Sequence, residues 1–225
     1  MGFSAIKDQA ASVRLLRNII RKGRVPNGLL FWGPPGVGKR FTAIELAKAI
    51  NCLEGRDDAC DACLTCRKTL SGNHPDVKLI APAGRTRIIS VDTIESMNEA
   101  TAYRPFEGKR RIFIIEDADR ISEAAQNHFL KTLEEPASPT LFILVTSYPR
   151  ILLPTIRSRC QMVRFGALRP ETVAGLLESR YQELSHEAAI AVAALSQGQM
   201  GRAVDLVESG RREAVMAVID RLQEG

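Results

Sequence analysis

The sequence predicts an α/β protein in which a five-stranded, mostly parallel sheet is flanked by helices and followed by a small all-helical domain. Three observations lead to this prediction. Five short apolar runs occur between residues 28 and 165, and several are continuous, as in strands that are covered on both faces. Helical patterns separate most of these runs. After residue 165 helical patterns continue, but no further strand pattern is found.

The composition is that of an ordinary globular protein. The chain has 225 residues, of which 45% are hydrophobic, and it carries a net charge of +5. No apolar run approaches the ~20 residues that are needed to cross a bilayer. The segment from Met1 to Asp8 lacks the charged-then-apolar pattern of a secretory signal. We therefore expect a cytoplasmic protein that does not enter a membrane.

Strands and helices alternate along the first part of the chain. The predicted strands are Gly28–Trp32, Val77–Ala81, Arg111–Glu116, Thr140–Thr146 and Gln161–Phe165. Helices are indicated by apolar residues at helical spacing, by capping residues and by helix-ending glycine or proline. The first predicted helix carries Val13, Leu16 and Ile20 and stops at Gly23. The next two are Lys39–Ile50 and Thr93–Tyr103. The last is capped by Ser122, carries Ala125, Phe129 and Leu133 on one side, and ends at Pro136.

A domain boundary is placed near Gly166, so that residues 1–165 form the α/β domain and residues 166–225 form the helical domain. The helices predicted in the second domain are Pro170–Tyr181, a helix capped by Ser185 that runs to Leu195, Gly201–Ser209 and Arg211–Leu222. A bundle of about 60 residues is marginally stable alone, so we expect it to pack on the first domain.

A phosphate-binding loop connects the first strand to the helix that follows it. The spacing G-x-x-x-x-G-K is intact, so backbone N–H groups can hold phosphates and Lys39 can reach the terminal ones. The residues of the loop are Gly33, Pro34, Pro35, Gly36, Val37, Gly38, Lys39 and Arg40. The strand–loop–helix context supports a true phosphate loop, but whether it still binds nucleotide is left open.

Arg40 stands where such loops carry the hydroxyl group that holds Mg²⁺. A guanidinium has five donors and no acceptor, so it cannot ligate a divalent cation and it repels one. Thr42 lies two residues further along, which on a helix points it about 200° away. We therefore expect the chain's own ATPase activity to be weak or absent.

Two carboxylates, Glu116 and Asp117, follow the third predicted strand. Such a pair can place one carboxylate on Mg²⁺ and the other on the attacking water, but the usual order is Asp then Glu. The reversed order moves each carboxylate by about 1 Å, which can cost about a hundredfold in rate. The alternative is a pair of solvated acids at a strand end. The pair is therefore predicted to be a degenerate catalytic site.

Cysteines form a metal-binding pattern. Cys52, Cys60, Cys63 and Cys66 have the spacing C-x7-C-x2-C-x2-C, which suits a structural Zn²⁺ with four sulfur ligands. An iron–sulfur cluster and free thiols remain alternatives, whereas disulfides do not fit a reducing compartment. His74 is interpreted as a surface or turn residue rather than a fifth ligand. Cys160 is predicted to be a small buried apolar residue.

Basic residues recur in two stretches. They are Arg104, Lys109, Arg110 and Arg111 in one, and Arg150, Arg157, Arg159, Arg164 and Arg169 in the other. Scattered charges usually form a solvated face. The alternative is a surface that meets phosphates, on DNA or on a neighbour's nucleotide. An arginine from a neighbouring protein can stabilise charge on a transferring phosphoryl group.

Together these features resemble the delta-prime subunits of the bacterial DNA polymerase III clamp loader, which belong to the AAA+ superfamily. The resemblance covers nearly the whole chain and rests on specific strings in a fixed order. After the cysteine module of residues 52–66 come His74-Pro75-Asp76, Ile115-Glu116-Asp117-Ala118-Asp119-Arg120, Leu130-Lys131-Thr132-Leu133-Glu134-Glu135-Pro136, Leu153-Pro154-Thr155-Ile156 and Ser158-Arg159-Cys160.

The resemblance implies roles for individual residues. Arg159 is implied to be the finger that reaches the ATP of an adjacent motor subunit. Thr146 and Arg202 are implied to be the first and second nucleotide sensors, the latter on a helical lid domain. The four cysteines match the family's zinc module. Arg40 agrees with a subunit that does not hydrolyse ATP.

The resemblance also implies a function. We expect a rigid, non-hydrolysing clamp-loader subunit that helps to load the sliding clamp on primed DNA, together with motor subunits and a delta-type subunit. Zinc is the expected cofactor, while ATP or ADP remains open. The family's third helical domain, which forms a collar, is not expected within this chain. The alternatives are an ATP-hydrolysing motor subunit and a zinc-containing adaptor that binds nucleic acid.

Overall fold

The computed structural model describes residues 2–55, 57–84 and 87–209, and these fall into two compact units. The first unit contains the described residues up to Ile6, Ala10–Gly33 and the described residues from Lys39 to Arg164. The second contains Lys7–Gln9, Pro34–Gly38 and the described residues from Phe165 onward. The change of unit after Arg164 lies close to the predicted boundary at Gly166. Assignment of the units as a nucleotide-binding domain and a lid stays a prediction.

The first unit is built on a parallel five-stranded sheet with the strand order β2-β3-β4-β1-β5. The strands are β1 (Gly28–Trp32), β2 (Val77–Ile80), β3 (Arg111–Ile115), β4 (Thr140–Thr146) and β5 (Gln161–Arg164). The predicted fold class and all five strands are confirmed. Three strands end one residue earlier than predicted. After β3 the reason is local, because Asp117 adopts a left-handed conformation with φ of 43° that ends an extended chain.

Helices flank this sheet. They are α1 (Ala10–Arg21), α2 (Lys39–Asn51), α3 (Leu64–Leu70), α4 (Val91–Thr101), α5 (Glu123–Glu134) and α6 (Pro154–Arg159). The predicted cap of α5 is confirmed, since the Ser122 hydroxyl accepts a hydrogen bond from the Ala125 N–H at 3.3 Å. Helices α3 and α6 were not predicted. They have 7 and 6 residues, too few to show a helical repeat in the sequence.

The core of the first unit lies around the central strands. Phe142 of β4 stacks on Phe113 of β3 at 5.6 Å and meets Phe129 of α5 edge to face at 4.9 Å. Such aromatic pairs add to the hydrophobic burial. The predicted helix that carries Val13, Leu16 and Ile20 is α1. Leu16 is buried together with Ser12 and Ile19, while Val13 and Ile20 are half-buried.

The second unit is helical. Its helices are α7 (Pro170–Arg180), α8 (His186–Ser196) and α9 (Met200–Glu208), which pack around a buried apolar cluster. The predicted cap of α8 is confirmed by the hydrogen bond from the Ala188 N–H to the Ser185 hydroxyl at 3.3 Å. The helix predicted at 211–222 lies outside the described residues. Among the described helices of both units, none is long and apolar enough to cross a membrane.

Candidate functional site

Lys39 is the first residue of α2 and is almost completely buried in the first unit, with 6% exposure. Its ammonium donates hydrogen bonds to the Gly33 carbonyl at 2.8 Å and to the Ser147 hydroxyl at 3.2 Å. Burial lowers the pKa of Lys39 to about 8, against the carboxylates of Asp117 and Asp119, which act to raise it. Lys39 is therefore held against Gly33 and the residue that follows β4.

Arg40 forms an ion pair with Glu116, whose carboxylate follows β3. The Arg40 Nε lies 2.8 Å from the Glu116 Oε1, and the Arg40 side chain remains 58% exposed. Burial and the neighbouring Asp117 raise the pKa of Glu116, while Arg40 lowers it. The residue that replaces the metal-binding hydroxyl thus rests on the carboxylate that stands at the predicted metal position.

The side chains at this position do not fit a Mg²⁺ ion. Magnesium requires oxygen ligands with near-octahedral geometry, but a guanidinium occupies the near side of Glu116. Thr42 offers no substitute, because it is fully buried in α2 and its hydroxyl has no hydrogen-bond partner within the described residues. The expectation that Thr42 would be a poor substitute agrees with this burial.

Thr146, the predicted first sensor, ends β4 and is bound by its neighbours. Its hydroxyl donates to the Asp119 carboxylate and accepts from the Tyr148 N–H at 2.9 Å. Sequence reasoning did not assign a role to Asp119 or to Ser147. The signal was present in Asp-Ala-Asp after β3 and in the serine that follows β4, since parallel strands end at the same sheet edge. The sensor role of Thr146 stays a prediction.

In the second unit, the loop residues Pro34–Gly38 pack with the start of α9. The Met200 N–H donates to the Gly36 carbonyl at 3.0 Å. A Cβ atom on Gly36 would lie 2.5 Å from the Gly201 nitrogen, and Gly36 has φ of +70°, so this position requires glycine. Arg202, the predicted second sensor, is exposed and donates to the Gln197 side-chain oxygen at 3.3 Å. Its sensor role stays a prediction.

Arg159 lies at the amino-terminal edge of the sheet. Its carbonyl is 3.3 Å from the position of a Cβ on Gly28, the first residue of β1. Its guanidinium pairs with Glu134 at the end of α5 and donates to the Thr155 carbonyl at 2.9 Å. Lys39 and Glu116 follow the carboxyl ends of β1 and β3. The length of a five-residue strand, about 16 Å, separates these two edges.

The four predicted metal ligands meet at one point. The sulfur atoms of Cys52, Cys60, Cys63 and Cys66 all lie within 4.8 Å of one another. Zinc–sulfur bonds of about 2.3 Å place tetrahedral ligands about 3.8 Å apart, and the Cys52 and Cys63 sulfurs are separated by 3.9 Å. The cluster could therefore hold a metal ion, and its four sulfur ligands fit zinc.

Backbone N–H groups support the thiolate form of these cysteines. The Gly55 N–H donates to the Cys52 sulfur at 3.0 Å, and the Cys63 N–H donates to the Cys60 sulfur at 3.3 Å. Although burial acts to raise it, backbone and neighbouring thiol hydrogen bonds lower the pKa of Cys63 to about 6. Burial and the neighbouring thiols of Cys63 and Cys52 raise the pKa of Cys66. Negative charge is thus favoured on part of the cluster before any metal binds.

Ion pairs and hydrogen bonds hold the cysteine module to the segments beside it. Lys48 of α2 is 1% exposed, binds Glu45 at 2.8 Å and forms a second ion pair with Asp61, between two of the cysteines. Asp58 accepts hydrogen bonds from Arg17 of α1 at 2.8 Å and from the Phe3 N–H at 2.9 Å. The module is therefore fixed at several points along its length.

His74 does not belong to the cysteine cluster, and of its two predicted settings the turn is confirmed, since the Val77 N–H donates to the His74 carbonyl at 3.2 Å, whereas the surface position is not. It is 1% exposed, and its Nδ1 accepts a hydrogen bond from the Asp76 N–H at 3.1 Å. The Asp76 carboxylate is itself fully buried and accepts N–H groups from Phe106, Glu107 and Gly108 at 2.7 to 2.8 Å. The His-Pro-Asp string therefore organises a loop. Cys160 is buried as predicted, and burial raises the pKa of its thiol to about 12.

Several of the arginines noted in the sequence are engaged within the protein. Arg111 donates to the carbonyls of Ala100 and Tyr103, and Arg164 lies 5.4 Å from the centre of the Trp32 ring. Arg169 binds Asp8 at 2.8 Å within the second unit. These contacts favour a structural role for much of the positive charge over a continuous surface for phosphates.

Comparisons with known proteins agree with this geometry. The family model described as DNA polymerase III, delta subunit, matches residues 8–169. The DNA polymerase III subunit delta' of Bacillus subtilis is 39% identical over 165 residues, which cover 73% of this chain and 50% of that protein. The Escherichia coli subunit delta' is 32% identical over 193 residues, which cover 85% and 58%. The chain thus spans about half the length of the relatives it matches.

A solved structure supports the fold. A variant of Thermotoga maritima RuvB has a TM-score of 0.63 and 15% identity, and the match covers 96% of this chain and 65% of that one. At this identity the likeness shows the fold alone, and it agrees with the predicted AAA+ arrangement of sheet and helices.

Proposed function

Since the chain belongs to the DNA polymerase III delta-subunit family, we propose that it is a clamp-loader subunit that does not hydrolyse ATP and that supplies Arg159 to a neighbouring ATPase subunit. Its relatives carry the name of DNA polymerase III subunits. The partners in this proposal are the motor subunits and a delta-type subunit, and through the assembly the sliding clamp and primed DNA. The place of action is the cytoplasm.

The ion pair between Arg40 and Glu116 is the observation that carries the non-hydrolysing role. Hydrolysis in phosphate-loop ATPases depends on a Mg²⁺ ion that a hydroxyl and a carboxylate hold beside the β- and γ-phosphates. Here the hydroxyl is replaced by a guanidinium, and the guanidinium neutralises Glu116 at 2.8 Å. Asp117, the second carboxylate, is in a left-handed backbone conformation directly before a 3-10 turn.

The position of Arg159 supports action on a neighbour rather than on the chain's own loop. An arginine side chain reaches about 7 Å, whereas the sheet edge that carries Arg159 is about 16 Å from the edge that follows Lys39 and Glu116. The side chain of Arg159 is 35% exposed and pairs with Glu134. In the proposed assembly the guanidinium leaves this carboxylate and binds a phosphate of the neighbouring subunit's ATP. An arginine finger can accelerate phosphoryl transfer by about 10³ to 10⁵.

A structural zinc ion completes the proposal. Four cysteine ligands leave no open position on the metal, so the ion would stabilise the module and would not take part in a reaction. The sulfurs of Cys52, Cys60, Cys63 and Cys66 would hold it.

The test uses the full-length protein reconstituted with its own partner subunits. We expect Arg159→Ala to lower the DNA-stimulated ATPase rate of the assembly by at least about a hundredfold, as loss of an arginine finger does. Arg150→Ala is the matched control, because Arg150 is also exposed and loses the same charge. Unchanged turnover with Arg159→Ala would reject the role in trans.

A second measurement tests the non-hydrolysing role. The isolated protein should show no Mg²⁺-dependent ATP turnover above the level of Lys39→Ala. Turnover that this variant abolishes would favour the motor alternative. The adaptor alternative requires tight binding of the isolated chain to DNA, with an affinity that falls steeply with salt.

A further inference from the structure

Two of the three guanidinium nitrogen atoms of Arg40 are available to bind a ligand. The Nε atom of Arg40 faces Glu116 at 2.8 Å, and its two NH₂ groups have no partner within the described part of the chain. A guanidinium presents its donors as a rigid fork that matches a phosphate group bidentately. With 58% of the side chain exposed, this fork is open to solvent at the start of α2.

The charges around Arg40 favour an anion that arrives without a metal. In a phosphate-loop ATPase a lysine and Mg²⁺ bring three positive charges to the phosphates, and two carboxylates offset them. In this chain Arg40 is paired with Glu116, and the carboxylates of Asp117 and Asp119 act on Lys39, so the carboxylates already balance the two cations without a metal. A divalent cation would have to displace the guanidinium from Glu116 and remain next to it, which like charges disfavour.

We propose that the phosphate loop of this chain binds a nucleoside polyphosphate without a divalent cation, with the guanidinium of Arg40 in place of the metal. The inference rests on the phosphate loop of the proposed function and deepens it, because it names the form of the ligand. Lys39 holds one phosphate group, and Arg40 contacts a neighbouring phosphate while Glu116 keeps the guanidinium in position. Without a metal the terminal phosphate is not activated, so the ligand is kept rather than hydrolysed.

Glu116 has a different role in this arrangement from the one that a motor subunit would give it. In a motor subunit this carboxylate would face the metal, whereas here it positions Arg40. The Glu116 side chain is half-buried, with 18% exposure, and this limits the positions that its carboxylate can take beside the exposed guanidinium. Glu116 is therefore a positioning residue for the arginine.

The experiment is calorimetric titration of the full chain with ADP, ATP and inorganic pyrophosphate, in 5 mM Mg²⁺ or in EDTA at equal ionic strength. For the wild-type chain we expect the Kd for ADP to differ by less than about threefold between the two conditions. Arg40→Thr restores the usual hydroxyl, so its affinity for ADP should rise at least about tenfold when Mg²⁺ is added. Pyrophosphate shows how much of the affinity comes from the phosphates alone.

Arg14→Ala is the matched control, because Arg14 is an exposed arginine of α1 and its loss should leave both titrations unchanged. If Arg40→Thr does not fold, Glu116→Gln provides the second variant. It keeps the size of the side chain but removes the charge that holds Arg40, so it should weaken ADP binding equally in Mg²⁺ and in EDTA, whereas Lys39→Ala should abolish binding.

A wild-type chain that needs Mg²⁺ to bind ADP, or that binds no nucleotide in either condition, overturns the proposal. These outcomes differ from failure of the proposed function, which is decided by the ATPase rate of the assembly with Arg159→Ala. Metal-independent binding together with an unaffected assembly would leave this inference standing and reject the role in trans.

Discussion

Lys39 and Arg40 are adjacent in the sequence, but their environments are opposite. Lys39 is 6% exposed and touches the loop backbone, whereas the side chain of Arg40 is 58% exposed and rests on a carboxylate. Burial penalises the charged form of an ammonium, while a guanidinium keeps its proton in proteins. The two cations therefore differ in their response to pH.

This difference predicts how ligand affinity depends on pH. The pKa of Lys39 is about 8, so below this pH the ammonium is charged and above it the proton is lost. Affinity for ADP should be constant up to about pH 8 and then fall by about tenfold per pH unit, because binding requires the proton. Titration between pH 7 and 9.5 measures this, and Lys39→Arg should remove the decline. An affinity that does not change with pH in the wild-type chain would contradict the assignment.

Asp76 predicts a large effect of one residue on stability. Removing its buried carboxylate in Asp76→Ala leaves three N–H donors without their acceptor, together with the Arg111 guanidinium 3.5 Å away. We expect a loss of at least about 3 kcal/mol in the free energy of unfolding. Urea unfolding measures it, and Glu99→Ala, an exposed acid on α4, should change stability by less than about 0.5 kcal/mol.

The same carboxylate also predicts acid sensitivity. Although burial acts to raise it, the three N–H donors hold the pKa of Asp76 below its ordinary value of 3.8. A group with a lowered pKa in the folded state stabilises the protein above its unfolded pKa. Its contribution should therefore be complete above about pH 4 and disappear as the pH falls through the lowered value.

At the scale of elements, α2 connects the two functional features of the first unit. It starts at Lys39 and ends at Asn51, one residue before the first cysteine of the module. The buried Lys48 ties the helix to the module through Asp61, and Glu45 neutralises the ammonium one turn earlier. Such a buried ion pair stabilises little by itself, but removal of one partner leaves an unpaired charge in the interior.

This pair predicts an asymmetric result in mutagenesis. Lys48→Met should lower the free energy of unfolding by about 3 to 5 kcal/mol, because it leaves the Glu45 carboxylate buried without a partner. The double substitution of Lys48→Met with Glu45→Leu should recover most of this loss. Thermal or urea unfolding measures both, and Lys22→Met on an exposed lysine is the control. Equal losses in the single and double variants would argue against the buried charge as the cause.

The cysteine module makes a prediction about metal content. The purified chain should contain one zinc ion per molecule, and Cys66→Ser should lose it, because the four sulfurs form a single cluster. Cys160→Ser is the matched control, since Cys160 is buried away from that cluster. Elemental analysis measures the content. Removal of zinc by a chelator should lower the melting temperature of the wild-type chain and leave that of Cys66→Ser unchanged.

At the scale of the whole molecule, the parallel sheet places two groups of charged residues at opposite edges. Lys39 and Glu116 lie beyond the carboxyl ends of β1 and β3 at one edge, while Arg159 precedes β5 at the other. The separation of Arg159 from the chain's own phosphate loop supports the proposed role in trans. The proposed role of Arg159 is therefore a property of an assembly and is measured in the reconstituted complex, whereas nucleotide binding and stability are measured on the isolated chain.

This separation predicts that Arg159→Ala leaves the isolated chain folded. The ion pair with Glu134 is exposed on both sides, at 35% and 45%, and pairs of this kind contribute about 0 to 1 kcal/mol. The free energy of unfolding should change by less than about 1 kcal/mol. Circular dichroism during urea titration measures it. A larger loss would mean that Arg159 is needed for folding, and its effect on an assembly would then have another explanation.

The sequence by itself determined the local features. Continuous apolar runs predicted all five strands, Ser122 and Ser185 predicted two helix caps, and the spacing of four cysteines predicted their cluster. These features depend on residues that are close in the chain, so periodicity and capping chemistry suffice. Short helices such as α3 and α6 fall below the length at which periodicity can be read.

The tertiary structure alone decided which charges meet. Arg40 is 76 positions from Glu116 in the sequence, and no spacing rule indicates their ion pair. The burial of His74 and the pairing of Lys48 with Asp61 are likewise set by how distant segments pack. The sequence could show that a metal ligand was missing from the loop. The sheet order decided which group took its place. Strands β1 and β3 lie on either side of β4, and this order brings the ends of distant segments to one edge of the sheet.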